Sequence, residues 1–567
     1  MIISEEHPPM RTIIIGGVAG GASAATRLRR LDEQHEIIVL ERSGYVSFAN
    51  CGLPYYIGGT IADRRSLLLQ TPASLHRRFG LDVRVNSEVV AIDPHARTVT
   101  VRDLADGGRQ YSEPYDHLVL SPGASPIVPP IPGVERALTL RTIEDTDRIK
   151  QRVDDLLRAA DSSEDGVSHD HHSAVLVGGG FIGLEMAESL RERGLDVTVV
   201  ELAPQVMAPL DPEMAAIVAA ELRRHDVALA LGVQVTEIRP DTVLLSDGRE
   251  LDADLVVMSI GVRPDVTLAK AAGLALGPRG GIQVDAQMRT SDPHIFAVGD
   301  AVDKSDATTG EPTLVPLANS ANRQGRLVAD VIAGRAIRFG GVLGTAIVKV
   351  FDLTVAVTGV NEKRLRASGR NHRAIHTHPG SHAGYYPGAE RISLKLLFDP
   401  STGQILGAQG VGGTGTDKRI DVLATAITGG IRADELADLE LAYAPPFGSA
   451  KDPVNQLGYV AENLMTGTTH TIGWDEVADT GRFVVDVRTP GEHRRGHLAG
   501  SVNLPLDELR ERHGEIPRDA DGRPAPVAVY CQVGQRGHTA ARLLTQLGYD
   551  VVNLDGGWLT YSLATAS

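Results

Sequence analysis

The sequence predicts an α/β protein built from several domains, and three observations carry that prediction. Residues 12–42, TIIIGGVAGGASAATRLRRLDEQHEIIVLER, run as an apolar strand, a glycine turn, an Ala/Leu/Arg helix, a second apolar strand and an acid. Residues 174–201, AVLVGGGFIGLEMAESLRERGLDVTVVE, repeat that order, so the chain holds two Rossmann-like βαβ dinucleotide modules. In the last ~100 residues the short apolar runs FVVDVR, VAVY and VVNL alternate with helical segments, which predicts a separate small α/β domain.

The 567 residues exceed one domain at a prior of ~150 residues each. Hydrophobic residues make up 42% and charged residues 23%, and no run of about 18 apolar residues could span a bilayer. The first ten residues, MIISEEHPPM, are acidic and lack an apolar export signal, so a soluble, cytoplasmic protein is expected. A net charge of −16 argues against nucleic acid or an anionic membrane as the main partner, while leaving room for a local basic pocket. The only cysteines, Cys51 and Cys531, cannot make a disulfide framework. Each reads as a reactive thiol or as a small buried apolar residue. Residues 161–172, DSSEDGVSHDHH, read as a polar surface loop whose histidines lack fixed ligand spacing, and no metal is expected.

In the second module Gly178, Gly180 and Gly183 fit GxGxxG. The first permits the tight turn, the second lets pyrophosphate approach the backbone, and the third allows close helix packing. Glu201 ends the second strand, where a carboxylate accepts from a ribose 2′-hydroxyl and repels a 2′-phosphate, so NADH is expected over NADPH. In the first module Gly16 and Gly21 hold the outer positions but Val18 holds the middle one, leaving Gly17 and Gly20 to supply the room. Glu41 is its ribose candidate. Residues 290–301, TSDPHIFAVGDA, end a strand in Gly299 and Asp300, where a carboxylate could accept from a flavin's ribityl hydroxyl.

Two modules of this kind, with LSPGASP (120–126), IGVRPD (260–265) and IFAVGDA (295–301) in order, resemble the flavoprotein disulfide reductases over roughly residues 11–463. The resemblance implies FAD in the first module and NAD(P)H in the second. It implies FAD-binding segments at 1–145 and 259–335, an NAD(P)H-binding domain at 146–258 and an α+β dimerisation domain at 336–465.

Better-known members of that superfamily carry two cysteines four residues apart, but here Ser47 stands four before Cys51. An oxidised Cys51 must therefore pair with an outside thiol, become a sulfenic acid or carry a persulfide. The segment SFANCGLPYY (47–56) resembles the coenzyme A disulfide reductases and their relatives, which form a mixed disulfide between the single cysteine and coenzyme A. That resemblance implies a coenzyme A site at Ser23, Arg27, Arg30, Ser47, Asn50 and Asn322. Arg27 and Arg30 lie three apart on one helix face and could meet phosphates, the alternative being an ordinary solvated face. AGYYPG (383–388) and LAYAPPFGSAKDPVN (441–455) resemble the same family's dimerisation domain. By that resemblance Tyr385 and Tyr443 enter the active site from the partner subunit of a homodimer, and Lys451 helps hold coenzyme A. A phenol there could protonate a departing thiolate, and packing is the alternative for these aromatics. Phe447 stands where the family has tyrosine.

FVVDVRTPGEHRRGHLAGSVNLP, YCQVGQRGHTAARLL and LDGGW resemble a rhodanese domain, placed at 472–567. A loop of backbone N–H groups leading into a helix favours a thiolate or persulfide at Cys531, with Arg536 adding positive charge. Asp486 and Arg488 read as a structural ion pair. Taken together, the resemblances imply a reductase acting with NADH on coenzyme A persulfide, polysulfide or coenzyme A disulfide, with sulfane sulfur carried on Cys531. Two other readings stay open: an NADH oxidase or peroxidase cycling Cys51 through sulfenic acid, and a redox-sensing or scaffolding flavoprotein with a docking rhodanese module.

Overall fold

The computed structural model describes residues 9–161, 172–518 and 520–565. The acidic start through residue 8 and residues 162–171 of the histidine-bearing loop lie outside them. The chain forms two compact units, one from the segments ending at Pro204 and spanning Asp226–Gly344, the other from Gln205–His225 and everything from Thr345 on. Among the described residues no helix is long and apolar enough to cross a membrane.

In the first unit, Ile295–Ala297, His117–Leu120, Arg11–Ile15, Glu36–Leu40 and Asp82–Arg84 form one sheet in that order, parallel throughout. Its central strands are buried on both faces, which is why they read as continuous apolar runs. Pairing of Ile295–Ala297 with His117–Leu120 returns Gly299 and Asp300 to the side of the sheet that carries the first glycine turn, although the two motifs stand far apart in the chain. The helix Ala318–Ile332 then packs on Ala19–Arg29. A Cβ on Gly325 would lie 2.1 Å from the Gly20 carbonyl oxygen, so the glycine permits that approach. The second sheet runs Ala228–Leu231, Asp196–Glu201, Ser173–Val177, Leu255–Met258 and Leu138–Thr139, again parallel. Helix Leu53–Gly58 packs on helix Phe181–Glu192, which brings the segment after Cys51 against the second module.

In the second unit, an antiparallel sheet runs Ala346–Val350, Leu353–Gly359, Ile405–Gly412, Ile392–Phe398 and Arg373–Thr377. Helices Thr416–Gly429 and Pro453–Met465 bury their apolar sides on it around Leu394, Leu396, Leu423 and Leu457. Helix Pro212–Arg224 packs against both this sheet and the C-terminal helix Gly557–Thr565. The last domain is a parallel sheet of His470–Ile472, Val551–Leu554, Val527–Tyr530, Phe483–Asp486 and Val502–Asn503. The three apolar runs read from the sequence form three of its five strands, Phe483–Asp486, Val527–Tyr530 and Val551–Leu554.

Candidate active sites

The two glycine turns use their residues differently. Gly178 has φ +112°, and a Cβ on it would lie 2.5 Å from the Ser259 carbonyl oxygen. One on Gly183 would lie 1.9 Å from the Gly178 carbonyl oxygen, whereas one on Gly180 meets nothing within 4 Å. The middle glycine therefore faces open space, as a pyrophosphate cradle requires. In the first turn Gly16 has φ +95°, and a Cβ on Gly21 would lie 1.8 Å from the Gly16 carbonyl oxygen. A Cβ on Gly17 would meet Val46, and one on Gly20 would meet Ser121 and Val298, so the close packing of protein around this turn also requires both glycines.

Glu41 and Glu201 make matching bonds. Glu41 accepts from the Gly17 N–H at 2.9 Å and the Ser43 N–H at 2.9 Å. Glu201 accepts from the Gly179 N–H at 2.7 Å and the Ala203 N–H at 2.8 Å. Each carboxylate thus fixes its own glycine turn and keeps lone pairs for a ribose. Near the first turn, the Gly299 N–H donates to Gln324 Oε1 at 2.8 Å. The buried Oδ1 of Asp300 has no partner, and burial pushes this carboxyl up from its ordinary value against the pull of Lys304 and Arg141. An orphaned buried acceptor beside a glycine turn fits a flavin's ribityl hydroxyl.

Cys51 lies in the 3-10 turn Asn50–Gly52, which leads into helix Leu53–Gly58. It is an exposed free thiol. Partial enclosure of the sulfur, then the fields of Glu185 and Asp300, push its pKa up. Two neighbours escaped the sequence reading. The Tyr55 hydroxyl donates to Glu185 Oε1 at 3.1 Å, and burial raises the pKa of both groups. Tyr55 stands four after Cys51 and Glu185 two after Gly183, the available signal being this spacing from motifs already found.

Ser47, at φ +45°, donates its N–H to the Gly17 carbonyl at 2.9 Å, and Asn50 is exposed. The Ser23 hydroxyl donates to Asn322 Oδ1 at 2.7 Å. Arg27 is less available than its spacing implied: it pairs with buried Asp330 at 2.7 Å. Arg30 is exposed, while the buried Arg29 between them bonds the carbonyls of Phe79 and Glu33.

In the second unit the hydroxyls of Tyr385 and Tyr443 meet at 2.7 Å. Tyr385 is 76% exposed and Phe447 71%, which leaves an uncovered aromatic surface; Lys451 is exposed as well. Cys531 is buried at the end of Val527–Tyr530. Its carbonyl accepts from the Trp558 N–H at 2.8 Å, and the loop passes through Gly534 at φ +91° into helix Gln535–Gln546. Arg488 binds Asp486 at 2.8 Å, both buried, as the expected ion pair. Arg536 differs from expectation: its charge faces Glu492 through two bonds of 2.6 and 2.9 Å.

The pattern of the pyridine nucleotide-disulphide oxidoreductase family matches residues 10–325, that of its dimerisation domain residues 345–453, and that of a rhodanese-like domain residues 471–564. A coenzyme A disulfide reductase from Staphylococcus haemolyticus is 36% identical over 455 residues, 80% of this chain and all of the relative. The crystal structure of reduced Bacillus anthracis CoADR-RHD shares 48% identity with a TM-score of 0.94, covering 99% of both chains. An NAD-dependent persulfide reductase from A. fulgidus shares 37% identity with a TM-score of 0.88, covering 97% of this chain and all of that one. The chain belongs to the pyridine nucleotide-disulphide oxidoreductase family, with a rhodanese-like domain at its C-terminal end.

Proposed function

We propose that the protein uses NADH to reduce coenzyme A persulfide, polysulfide or coenzyme A disulfide through a mixed disulfide between Cys51 and coenzyme A. The observation that carries this reading is the solitary exposed thiol of Cys51, with Ser47 where a second cysteine would close a ring. FAD at Glu41 and Asp300 and NADH at Gly180 and Glu201 would supply the electron pair. The Cys51 thiolate attacks the coenzyme A sulfur of the persulfide, a Cys51–S–S–coenzyme A bond forms, and hydrosulfide leaves with the electrons of the broken S–S bond. Two electrons and a proton then return Cys51 to the thiolate and release coenzyme A as its thiol. With coenzyme A disulfide the first leaving group is a coenzyme A thiolate instead.

Exposure of Tyr385, Tyr443 and Phe447 supports a homodimer in which a second copy covers them and the phenols protonate the departing thiolate. Cys531 carries sulfane sulfur as a persulfide, and the fused domain raises the local concentration of its product. Mass spectrometry of the unreduced protein tests the assignment: a coenzyme A adduct on Cys51 is expected. Finding only sulfenic acid there with coenzyme A supplied would favour a peroxidase. Anaerobic NADH consumption should continue with coenzyme A persulfide and be lost in Cys51→Ser.

A further inference from the structure

The loop after Cys531 has little net charge to offer a donor. Arg536 stands within the field of the Cys531 sulfur, yet its guanidinium is held by both oxygens of Glu492. Glu492 is itself anchored: its Oε2 accepts from the Thr489 N–H and hydroxyl, each at 2.9 Å, in the capping box of helix Pro490–Arg494. The carboxylate is thereby pinned beside the guanidinium. Arg536 and this hydrogen bonding hold its pKa down at about 2, so it stays ionised at any physiological pH. The second nearby cation, Arg488, is cancelled by Asp486 and spans to Gln532 Oε1 at 3.2 Å. Arg494 and Arg495 lie exposed, where salt screens them.

Building on the rhodanese reading above, we infer that Glu492 sets donor choice at Cys531 by neutralising Arg536, favouring persulfides of charge zero or minus one over a dianion such as thiosulfate. A free guanidinium would attract a dianion twice as strongly as a monoanion, and the neutral Arg536–Glu492 pair removes that advantage. With a persulfide R–S–SH, the Cys531 thiolate attacks the outer sulfur, the S–S bond of the donor breaks, and R–S⁻ leaves. With thiosulfate it takes the sulfane sulfur and sulfite leaves. Both give a Cys531 persulfide.

The test uses full-length protein in a Cys51→Ser background and measures, by intact mass, the rate at which Cys531 gains one sulfur. Donors are thiosulfate and 2-hydroxyethyl persulfide. Glu492→Gln keeps a capping-box residue while removing the charge. It should raise the thiosulfate rate relative to the persulfide rate by about tenfold, and Glu492→Asp should hold the parent ratio within about threefold. An unchanged ratio in Glu492→Gln overturns the inference, and so does a parent that loads from thiosulfate as fast as from persulfide. Should Glu492→Gln not fold, the salt dependence of the parent's thiosulfate rate decides. A rate near-constant between ~50 and ~500 mM salt supports a neutral pocket, and a steep fall refutes it. Loading from neither donor would overturn the rhodanese reading as well, whereas loading with an unmoved ratio sinks only the role of Glu492.

Discussion

Replacing Lys395 with methionine should destabilise the second unit by about 3–5 kcal/mol, the cost of removing one partner from a buried ionic cluster. The ammonium is fully buried in the strand Ile392–Phe398 and lies 2.5 Å from Glu213, 2.6 Å from Glu362 and 3.0 Å from Asp211. These three acids are spaced as metal ligands would be, and the lysine occupies the place of the cation. Glu362 shows the scale. Opposing its burial, Lys395 and Arg366 hold its pKa at about 2, and the difference from an ordinary glutamate near ~4.3 is worth ~3 kcal/mol. Glu213 is lowered as well. Methionine keeps the stem's volume and leaves the acids facing one another, so one must take up a proton.

Urea unfolding at neutral pH, followed by circular dichroism, reads the loss, and thermal unfolding should show a fall in Tm of roughly 10 °C at about 2–4 °C per kcal/mol. The pH dependence has a definite sign. Glu362 has a depressed folded pKa, so its contribution is present above the unfolded value near ~4.3 and lost as pH falls towards about 2. The gap between parent and Lys395→Met should therefore narrow below about pH 4. A loss under ~1 kcal/mol at neutral pH, or a gap that widens in acid, would refute the reasoning.

Against its burial, Asp555 and Glu213 hold the folded pKa of His376 up at about 9. Its contribution is complete below ~6.5 and lost as pH rises through about 9, so stability should decline over that window and His376→Gln should remove the decline. Glu185→Gln removes a negative field that raises the Cys51 pKa, so the pH profile for alkylation of Cys51 should shift to lower pH. Gly180→Ala puts a methyl group into open space at an allowed φ of −86°. It should leave stability within about 0.5 kcal/mol while raising the KM for NADH, whereas Gly183→Ala collides with backbone and should unfold the module.

What the sequence made legible was local. Each glycine turn with its terminal glutamate lies within one βαβ unit, so spacing alone locates it, and the three C-terminal apolar runs announce their own strands. Pairings across long gaps were not legible. Arg27 reads as a phosphate contact until Asp330 is folded against it from 303 positions away. Arg536 reads as an open cation until Glu492 reaches it. Lys395 within ISLKLLF is the clearest missed signal: a lysine inside a buried apolar strand implies acids converging from elsewhere, but not that they come from positions 211, 213 and 362.

The same cluster bears on how the rhodanese-like domain is held. His376, in the strand Arg373–Thr377 of the antiparallel sheet, reaches Asp555 at 2.5 Å on one side and Glu213 at 3.0 Å on the other. His378 adds a bond to Thr560 at 2.8 Å, and Arg366 pairs with Asp475 at 2.8 Å. Detaching the domain would strip a buried imidazolium from its acid and expose the face that Gly557–Thr565 shares with Pro212–Arg224. A domain anchored at a buried ion pair, a hydrogen-bonded histidine and a helix face is poorly suited to swing on each turnover. On the proposed function, sulfur loaded on Cys531 therefore travels on a small thiol, and fixing the domain in place makes that carrier, not the protein fold, the moving part.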